Sequence, residues 1–305
     1  MKSHRSALSL AMVVVVVIGW AECDQVGFIN EAEATINEVT KVLHIEDCIN
    51  AAKAKANSLG HTSGEMHYAV TWISMYSRIC LINETLLSQD KNINSFPFRL
   101  NKELRCAFHQ ERDSKIKKTF KRAAQVISAS LSIIGFKKVN ILFRGVTTFE
   151  YRHLAYFTEY GFFSASISPS VALRFANGST LLIIRAMNGV PIAKFVQEMF
   201  NYQKEVLAPP EYTFSIGNIT TDKVAISYVL KPYTLWKDVK LPTEIIYLTY
   251  IPGAMKQARP DFMTNYCSAG ITSQTNRGEK PSFASTTIMQ ITTIFYFTVS
   301  QMVMR

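Results

Sequence analysis

The chain has 305 residues, 48% of them hydrophobic, 18% charged and 11% aromatic, with 10 Pro and 13 Gly. A disordered tail, a small disulfide scaffold and a polytopic membrane protein are all excluded, because the apolar residues are spread along the chain in the amount one ordinary core needs. The 33 Lys and Arg against 23 Asp and Glu give a formal charge of +10, which suits nucleic acid, an acidic surface or an anionic small ligand without choosing among them.

At the N-terminus, Lys2, His4 and Arg5 precede an apolar run over residues 7–20, followed by Ala21-Glu22-Cys23. A basic start, an apolar stretch shorter than the ~20 residues a bilayer core requires, and small residues before the cut predict a secretory signal over 1–23. Its removal leaves Cys48, Cys80, Cys106 and Cys267, an even number in an oxidising compartment, with three connectivities open. Sequons at Asn83, Asn177 and Asn218 agree with that address.

The first half of the mature chain predicts helices. Ile116, Phe120, Ala124, Ile127, Leu131 and Ile134 recur at helical spacing, with Lys117, Lys118, Lys121 and Arg122 on the other faces as a solvated basic side. From residue 139 short β-rich runs follow, at 139–143, 180–185, 205–207, 212–216, 223–230 and 244–251. Helices first and strands second, without βαβ alternation, predict an α+β fold in one domain over 24–267. Neither a G-x-G-x-x-G nor a Walker A loop is present. The basic residues are scattered, which argues against a nucleic-acid partner. After Cys267 come the small triplet Ser268-Ala269-Gly270, a polar spacer and an apolar end. That layout predicts a GPI-anchor signal over 268–305, the chain's one expected link to a membrane.

Three segments in the strand-rich half carry candidate chemistry. Phe143-Arg144-Gly145 puts a guanidinium at the end of an apolar strand, where it must pair with a carboxylate or point into a site; its planar fork suits a diphosphate. In Gly161-Phe162-Phe163-Ser164-Ala165-Ser166, strand alternation places Phe162, Ser164 and Ser166 on one face. Tyr202-Gln203-Lys204-Glu205-Val206-Leu207-Ala208-Pro209-Pro210 sets a carboxamide and a carboxylate on one face, entering an apolar strand that Pro209 ends. A carboxylate there must be solvated, paired or functional.

Together these segments resemble the secreted and cell-surface mono-ADP-ribosyltransferases, the vertebrate-type arginine-specific family with an R-S-E triad. Phe143-Arg144-Gly145 is similar to the Arg-bearing strand, Phe162 to Ser166 to the F-x-S-x-S segment, and Lys204 to Pro210 to most of E-x-E-V-L-x-P-P. Order and spacing agree, and the resemblance runs from about residue 45 to 267. It implies a split, mostly antiparallel β core with an NAD cleft, and cleavage of the nicotinamide–ribose bond through an oxocarbenium-like transition state. It also implies roles: Arg144 on the diphosphate, Ser164 and Ser166 among the NAD contacts, Phe162 against the nicotinamide ring, and Glu205 on the ribose 2′-hydroxyl, stabilising the developing charge. NAD, with NADP as a variant, is then the substrate, no metal is required, and ADP-ribose passes to a protein side chain or to water.

One departure bears on the acceptor. Arginine-specific members carry Glu at the position of Gln203, and an amide takes no proton at neutral pH. The resemblance therefore leaves an NAD glycohydrolase and a catalytically silent binding protein as alternatives, with Phe200 and Gln203 on the acceptor side. It further implies a Cys48–Cys267 pair joining the ends, with Cys80–Cys106 remaining, and Val139 and Met187 in place of a second family disulfide.

Overall fold

The computed structural model describes residues 25–78, 80, 82, 95–107, 113–260, 263 and 267. The expected signal at 1–23, the expected anchor signal at 268–305 and Asn83 lie outside them. Five helices come first: α1 Gln25–Leu43, α2 Glu46–Ser58, α3 Gly64–Tyr76, α4 Phe96–Arg105 and α5 Ser114–Ile134. α5 begins where the Asp113 carboxylate accepts the Lys115 N–H at 2.7 Å, and it stops at Gly135, whose φ of 97° no side-chain-bearing residue adopts readily. Its expected apolar stripe is buried at Phe120, Ala124, Ile127 and Leu131. Arg122 is not simply solvated: it pairs with Glu31 at 2.9 Å and with Glu38, fastening α5 to α1. α3 is buried from Ala69 to Tyr76, so it forms the axis of a helical core containing Trp72, Phe28, Phe96 and Phe120.

The strands are β1 Lys137–Val146, β2 Tyr156–Glu159, β3 Phe163–Ser166, β4 Thr180–Pro191, β5 Glu205–Ala208, β6 Tyr212–Thr220 and β7 Glu244–Tyr250. β4 is the hinge of the sheet. β1 runs antiparallel along one edge, from Lys137↔Gly189 to Val146↔Thr180, and β7 runs parallel along the other, followed by β6 and β2. The end of β4 also takes β5, which pairs with β3, and β3 returns to β1 at Phe143↔Ser166. β1, β3, β5 and β4 thereby close on one another, and every pairing except β4–β7 is antiparallel. This is the expected α+β architecture of helices followed by a mostly antiparallel β core. Two further helices cover it, α6 Pro169–Ala176 and α7 Lys223–Leu230.

α7 corrects the expectation of a strand at 223–230. The run is rich in β-forming residues, yet the Asp222 carboxylate accepts the Ala225 N–H at 2.7 Å and caps a helix. Burial then repeats every four residues: Ile226 and Leu230 are inside while Val224 and Tyr228 are each 77% exposed.

The disulfides also differ from the expected pairing. Cys48 bonds to Cys80 and Cys106 to Cys267, each with Cα atoms 5.6 Å apart. α2 and α3 pack along one another across the short link 59–63, which returns the end of α3 to the start of α2 and puts Cys80 within bridging reach of Cys48. Cys267 is tied instead to Cys106 at the end of α4, so the expected bridge between the two ends of the domain is replaced by one from its C-terminal end to its middle. Val139 and Met187 do stand opposite one another in the β1–β4 ladder. Among the described residues no helix is long and apolar enough to cross a membrane.

Candidate active site

The site forms where β1, β3 and β5 meet. In β1, Leu142 and Phe143 are buried, and Gly145 lies so close under α6 that a Cβ there would stand 1.8 Å from the Ala172 carbonyl oxygen. Arg144, between them, spreads its guanidinium over the Phe163 ring, 4.6 Å from Cζ to the ring centroid. Its Nη1 is buried with no hydrogen-bond partner among the described residues. Burial lowers the Arg144 pKa from its ordinary value, with the Glu159 carboxylate the largest opposing influence. A buried guanidinium N–H without an acceptor is costly, so this nitrogen can take one from outside the described residues.

β3 and β5 supply the partners. Ser166 lies opposite Glu205 in the ladder, and the Ser164 hydroxyl donates to Glu205 Oε1 at 2.5 Å. Burial raises the Glu205 pKa, while the Ser164 hydrogen bond and the Arg144 charge work against that rise. A guanidinium, a hydroxyl and a carboxylate from three strands thus act on one another in one place. Arg144, Ser164 and Glu205 are the three residues put forward from the sequence, and the structure brings them together.

Ser166 and Phe162 stand elsewhere than expected. The Ser166 hydroxyl donates its single proton to the Gln203 carbonyl at 2.5 Å and accepts the Ser168 N–H at 2.9 Å, and the residue is 5% exposed. It fastens the turn before β5 rather than facing a ligand. Phe162 precedes β3, so strand alternation does not govern it. Its ring is 1% exposed, 5.0 Å from the Tyr76 ring in the helical core, and leaves no face open to a nicotinamide.

Gln203 ends a short 3-10 segment, Glu198–Gln203, and is followed by Lys204 at a left-handed φ of 44°. That backbone reversal is pinned at Gln203 by Ser166 and at Lys204, whose carbonyl accepts the Ile167 N–H at 3.3 Å. Gln203 is half-buried. Phe200 and Met199 lie in the same segment, with side chains outside those described. Beside Gln203, Tyr202 lies 6.0 Å from the Trp236 ring, which carries the Arg174 guanidinium at 4.3 Å. Asn177 and Asn218 are exposed, as sugar attachment requires.

Four residues near the site were missed: Tyr76, Asn101, Arg105 and Glu159. Glu159 is a buried carboxylate that pairs with Arg105 Nε at 2.9 Å and accepts the Gly161 N–H at 2.9 Å. Burial pushes its pKa up, but Arg105 and Arg144 outweigh that effect and hold it below the ordinary value. The signal was available, because Glu159 ends an apolar run just as Glu205 begins one. Tyr76 lies in the same field, its phenol pushed up by burial and bonded to Asn101 Nδ2 at 2.7 Å.

The family model for NAD:arginine ADP-ribosyltransferase matches residues 44–234. Among solved structures, exoenzyme S from Pseudomonas aeruginosa, bound to carba-NAD and in complex with human 14-3-3 protein beta, is similar at 15% identity and TM-score 0.49. That match covers 77% of this chain and 96% of the other. The eukaryotic mono-ADP-ribosyltransferase ART2.2 is similar at 18% identity and TM-score 0.49, over 76% of this chain and 90% of its own. The ADP-ribosyltransferase HopU1 of Pseudomonas syringae pv. Tomato DC3000 has 15% identity and TM-score 0.47, over 68% and 87% respectively. No curated protein matches the sequence significantly.

Proposed function

The chain belongs to the NAD:arginine ADP-ribosyltransferase family, and on that premise we propose that Arg144, Ser164 and Glu205 are where it breaks the nicotinamide–ribose bond of NAD. ADP-ribose then passes to a protein side chain or to water, with Gln203 favouring water over arginine. The protein is a transferase that uses NAD as substrate.

The observation that carries the reading is the Ser164–Glu205 hydrogen bond beside a guanidinium with an unsatisfied buried Nη1. A diphosphate oxygen gives Nη1 its acceptor. The Ser164 hydroxyl occupies Glu205 Oε1 and leaves the second carboxylate oxygen for a ribose hydroxyl. As the bond to nicotinamide lengthens, positive charge gathers on the ribose, and a carboxylate already seated in a poorly solvated place stabilises it without reorganising. The raised pKa of Glu205 fits this use: the cationic nicotinamide of NAD is a counter-charge that favours the ionised carboxylate.

Gln203 bears on the acceptor. An amide orients an incoming group by hydrogen bonds but takes no proton from it, whereas a guanidinium, protonated at neutral pH, must lose one to become a nucleophile. We assign the chain from 24 to 267 to one catalytic domain acting in the secretory pathway or at the cell surface. Two disulfides and two exposed sequon asparagines support that setting, as do the signal and anchor patterns of the termini.

The test is incubation with NAD labelled in its adenine half, with and without acceptor protein, beside Glu205→Gln. Free labelled ADP-ribose indicates hydrolysis, and label on protein indicates transfer. No turnover by the parent protein would refute the proposal in favour of a silent binding protein.

A further inference from the structure

We infer that α4 is a latch for the reacting site: Asn101 and Arg105, one turn apart on the helix, grip the link between β2 and β3 and so set where Ser164 stands. The inference rests on the reading of Ser164 and Glu205 given above, and both latch residues are positioning residues that act through β3.

Between Glu159 and Phe163 the chain leaves one strand and enters another, and the Gly161 and Phe162 N–H groups have no ladder partner there. Both are satisfied by side chains. Phe162 N–H donates to Asn101 Oδ1 at 2.8 Å, and Gly161 N–H donates to Glu159 Oε1 at 2.9 Å, the same oxygen that receives Arg105 Nε at 2.9 Å. At Gly161 the link lies close against the two arms. A Cβ there would stand 3.0 Å from Asn101 Oδ1 and 3.3 Å from Arg105 Cζ.

The arms are themselves held. Asn101 Nδ2 donates to the Tyr76 hydroxyl at 2.7 Å, and the Tyr76 ring packs on Phe162, so the amide that grips the link is oriented by the core it grips. At the C-terminal end of α4, Arg259 donates to the Arg105 carbonyl at 2.9 Å and the Leu104 carbonyl at 3.2 Å, and the next residue, Cys106, is bonded to Cys267. The Arg259 guanidinium also covers the ring of Tyr160, within the link itself, at 3.8 Å. Two residues beyond Phe162, Ser164 meets Glu205. A shift of the link is therefore passed along a stiff strand to the hydroxyl that orients the carboxylate.

The experiment measures kcat and KM for NAD cleavage, melting temperature and amide exchange in the full chain. The variants are Asn101→Ala, the paired Arg105→Met with Glu159→Met, which removes both partners of the ion pair together but also takes the acceptor from the Gly161 N–H and a counter-charge from Arg144, and Arg105→Lys, which keeps a cation opposite Glu159. For the first two the expected result is a kcat lower by about 10- to 100-fold with KM within about threefold of wild type, because misplacement of a reacting group is felt in the transition state. Arg105→Lys should recover most of kcat. A folded Asn101→Ala with wild-type kcat, or with raised KM and unchanged kcat, overturns the latch, and that variant decides alone if the paired one does not fold.

Wild-type protein that fails to cleave NAD, or a fully active Glu205→Gln, defeats the site reading instead. Exchange then judges the latch. Faster exchange of the 161–166 amides in Asn101→Ala, with α5 unchanged, upholds it, and unchanged exchange overturns it.

Discussion

Gly145 is the residue where a single methyl group should do most damage near Arg144. A Cβ built there would stand 1.8 Å from the Ala172 carbonyl oxygen, 2.4 Å from the Ala176 nitrogen and 2.8 Å from the Ala172 carbonyl carbon. All three are backbone atoms of α6, so no rotamer change relieves them, and the helix must move back by roughly 1.7 Å to reach ordinary contact distances near 3.5 Å. Its buried residues Val171, Ala172, Leu173 and Ala176 would then part from β1 and β4. Overpacking typically costs about 1–3 kcal/mol, and a purely backbone clash belongs at or above the upper end. At about 2–4 °C per kcal/mol for a domain of this size, a cost of about 3 kcal/mol lowers the melting temperature of Gly145→Ala by about 6–12 °C. The assay is thermal unfolding followed by circular dichroism, with urea unfolding to check that the slope is unchanged. Gly217→Ala is the control: the nearest atom to its Cβ is the Tyr247 carbonyl oxygen at 3.3 Å. Its melting temperature should shift by less than about 2 °C. If Gly145→Ala melts no lower than the control, the packing argument for the Arg-Gly pair fails.

Glu205→Gln should lower NAD cleavage by about 10²- to 10³-fold, if Glu205 acts as a pre-organised electrostatic group, and yet raise the melting temperature near neutral pH. The folded pKa of this carboxyl lies above its unfolded value because of burial. Its contribution to stability is therefore present below the unfolded pKa and lost as pH rises through the folded one, a loss the neutral amide avoids; a lower melting temperature would refute this. The pH profile of kcat/KM should fall on the acid side above the ordinary carboxylate value of 4.5 as Glu205 takes up its proton. The corresponding limb of kcat should lie at lower pH, since bound NAD places a cation beside the carboxylate; coincident limbs would contradict the assigned contact. Gln203→Glu should raise the ratio of arginine transfer to hydrolysis, measured as label on polyarginine against free ADP-ribose, and an unchanged ratio would show that position 203 does not select the acceptor. Peptide mapping without reduction should recover Cys48 linked to Cys80 and Cys106 linked to Cys267, and replacing both Cys106 and Cys267 by Ala should cost about 2–5 kcal/mol of stability.

Local patterns carried much of the reading. The apolar stripe of α5 and the β-rich runs that became β1, β4, β5, β6 and β7 are short-range properties, written in neighbouring residues. The same reasoning misread residues 223–230, because Val, Ile and Tyr at close spacing suit a strand until the Asp222 cap and one-sided burial decide for a helix. β2 was missed: it is four residues long and, among the described strands, pairs with β6 alone. At the site, Arg144, Ser164 and Glu205 could be picked out because their three segments together resemble one family's motifs; singly, each was only a polar residue beside apolar ones, for which an ordinary structural role was open.

Which groups meet was decided by the tertiary structure alone. Glu159 finds Arg105 across 54 residues, Phe162 finds Asn101 across 61, and Cys106 finds Cys267 across 161. No periodicity encodes such meetings, because they depend on how α2 folds back on α3 and how α4 lies along the β2–β3 link. Ser166 and Phe162 show the same limit at close range: alternation assigned them a face, but the neighbours that captured the hydroxyl and the ring came from the Gln203 turn and from α3. The chain by itself determined its α+β order and the residue types available for chemistry, since backbone period and side-chain polarity are written locally. Partnerships, cysteine pairing and the setting of each charge belong to packing, because hydrogen bonds and burial are fixed by whatever the rest of the molecule brings alongside.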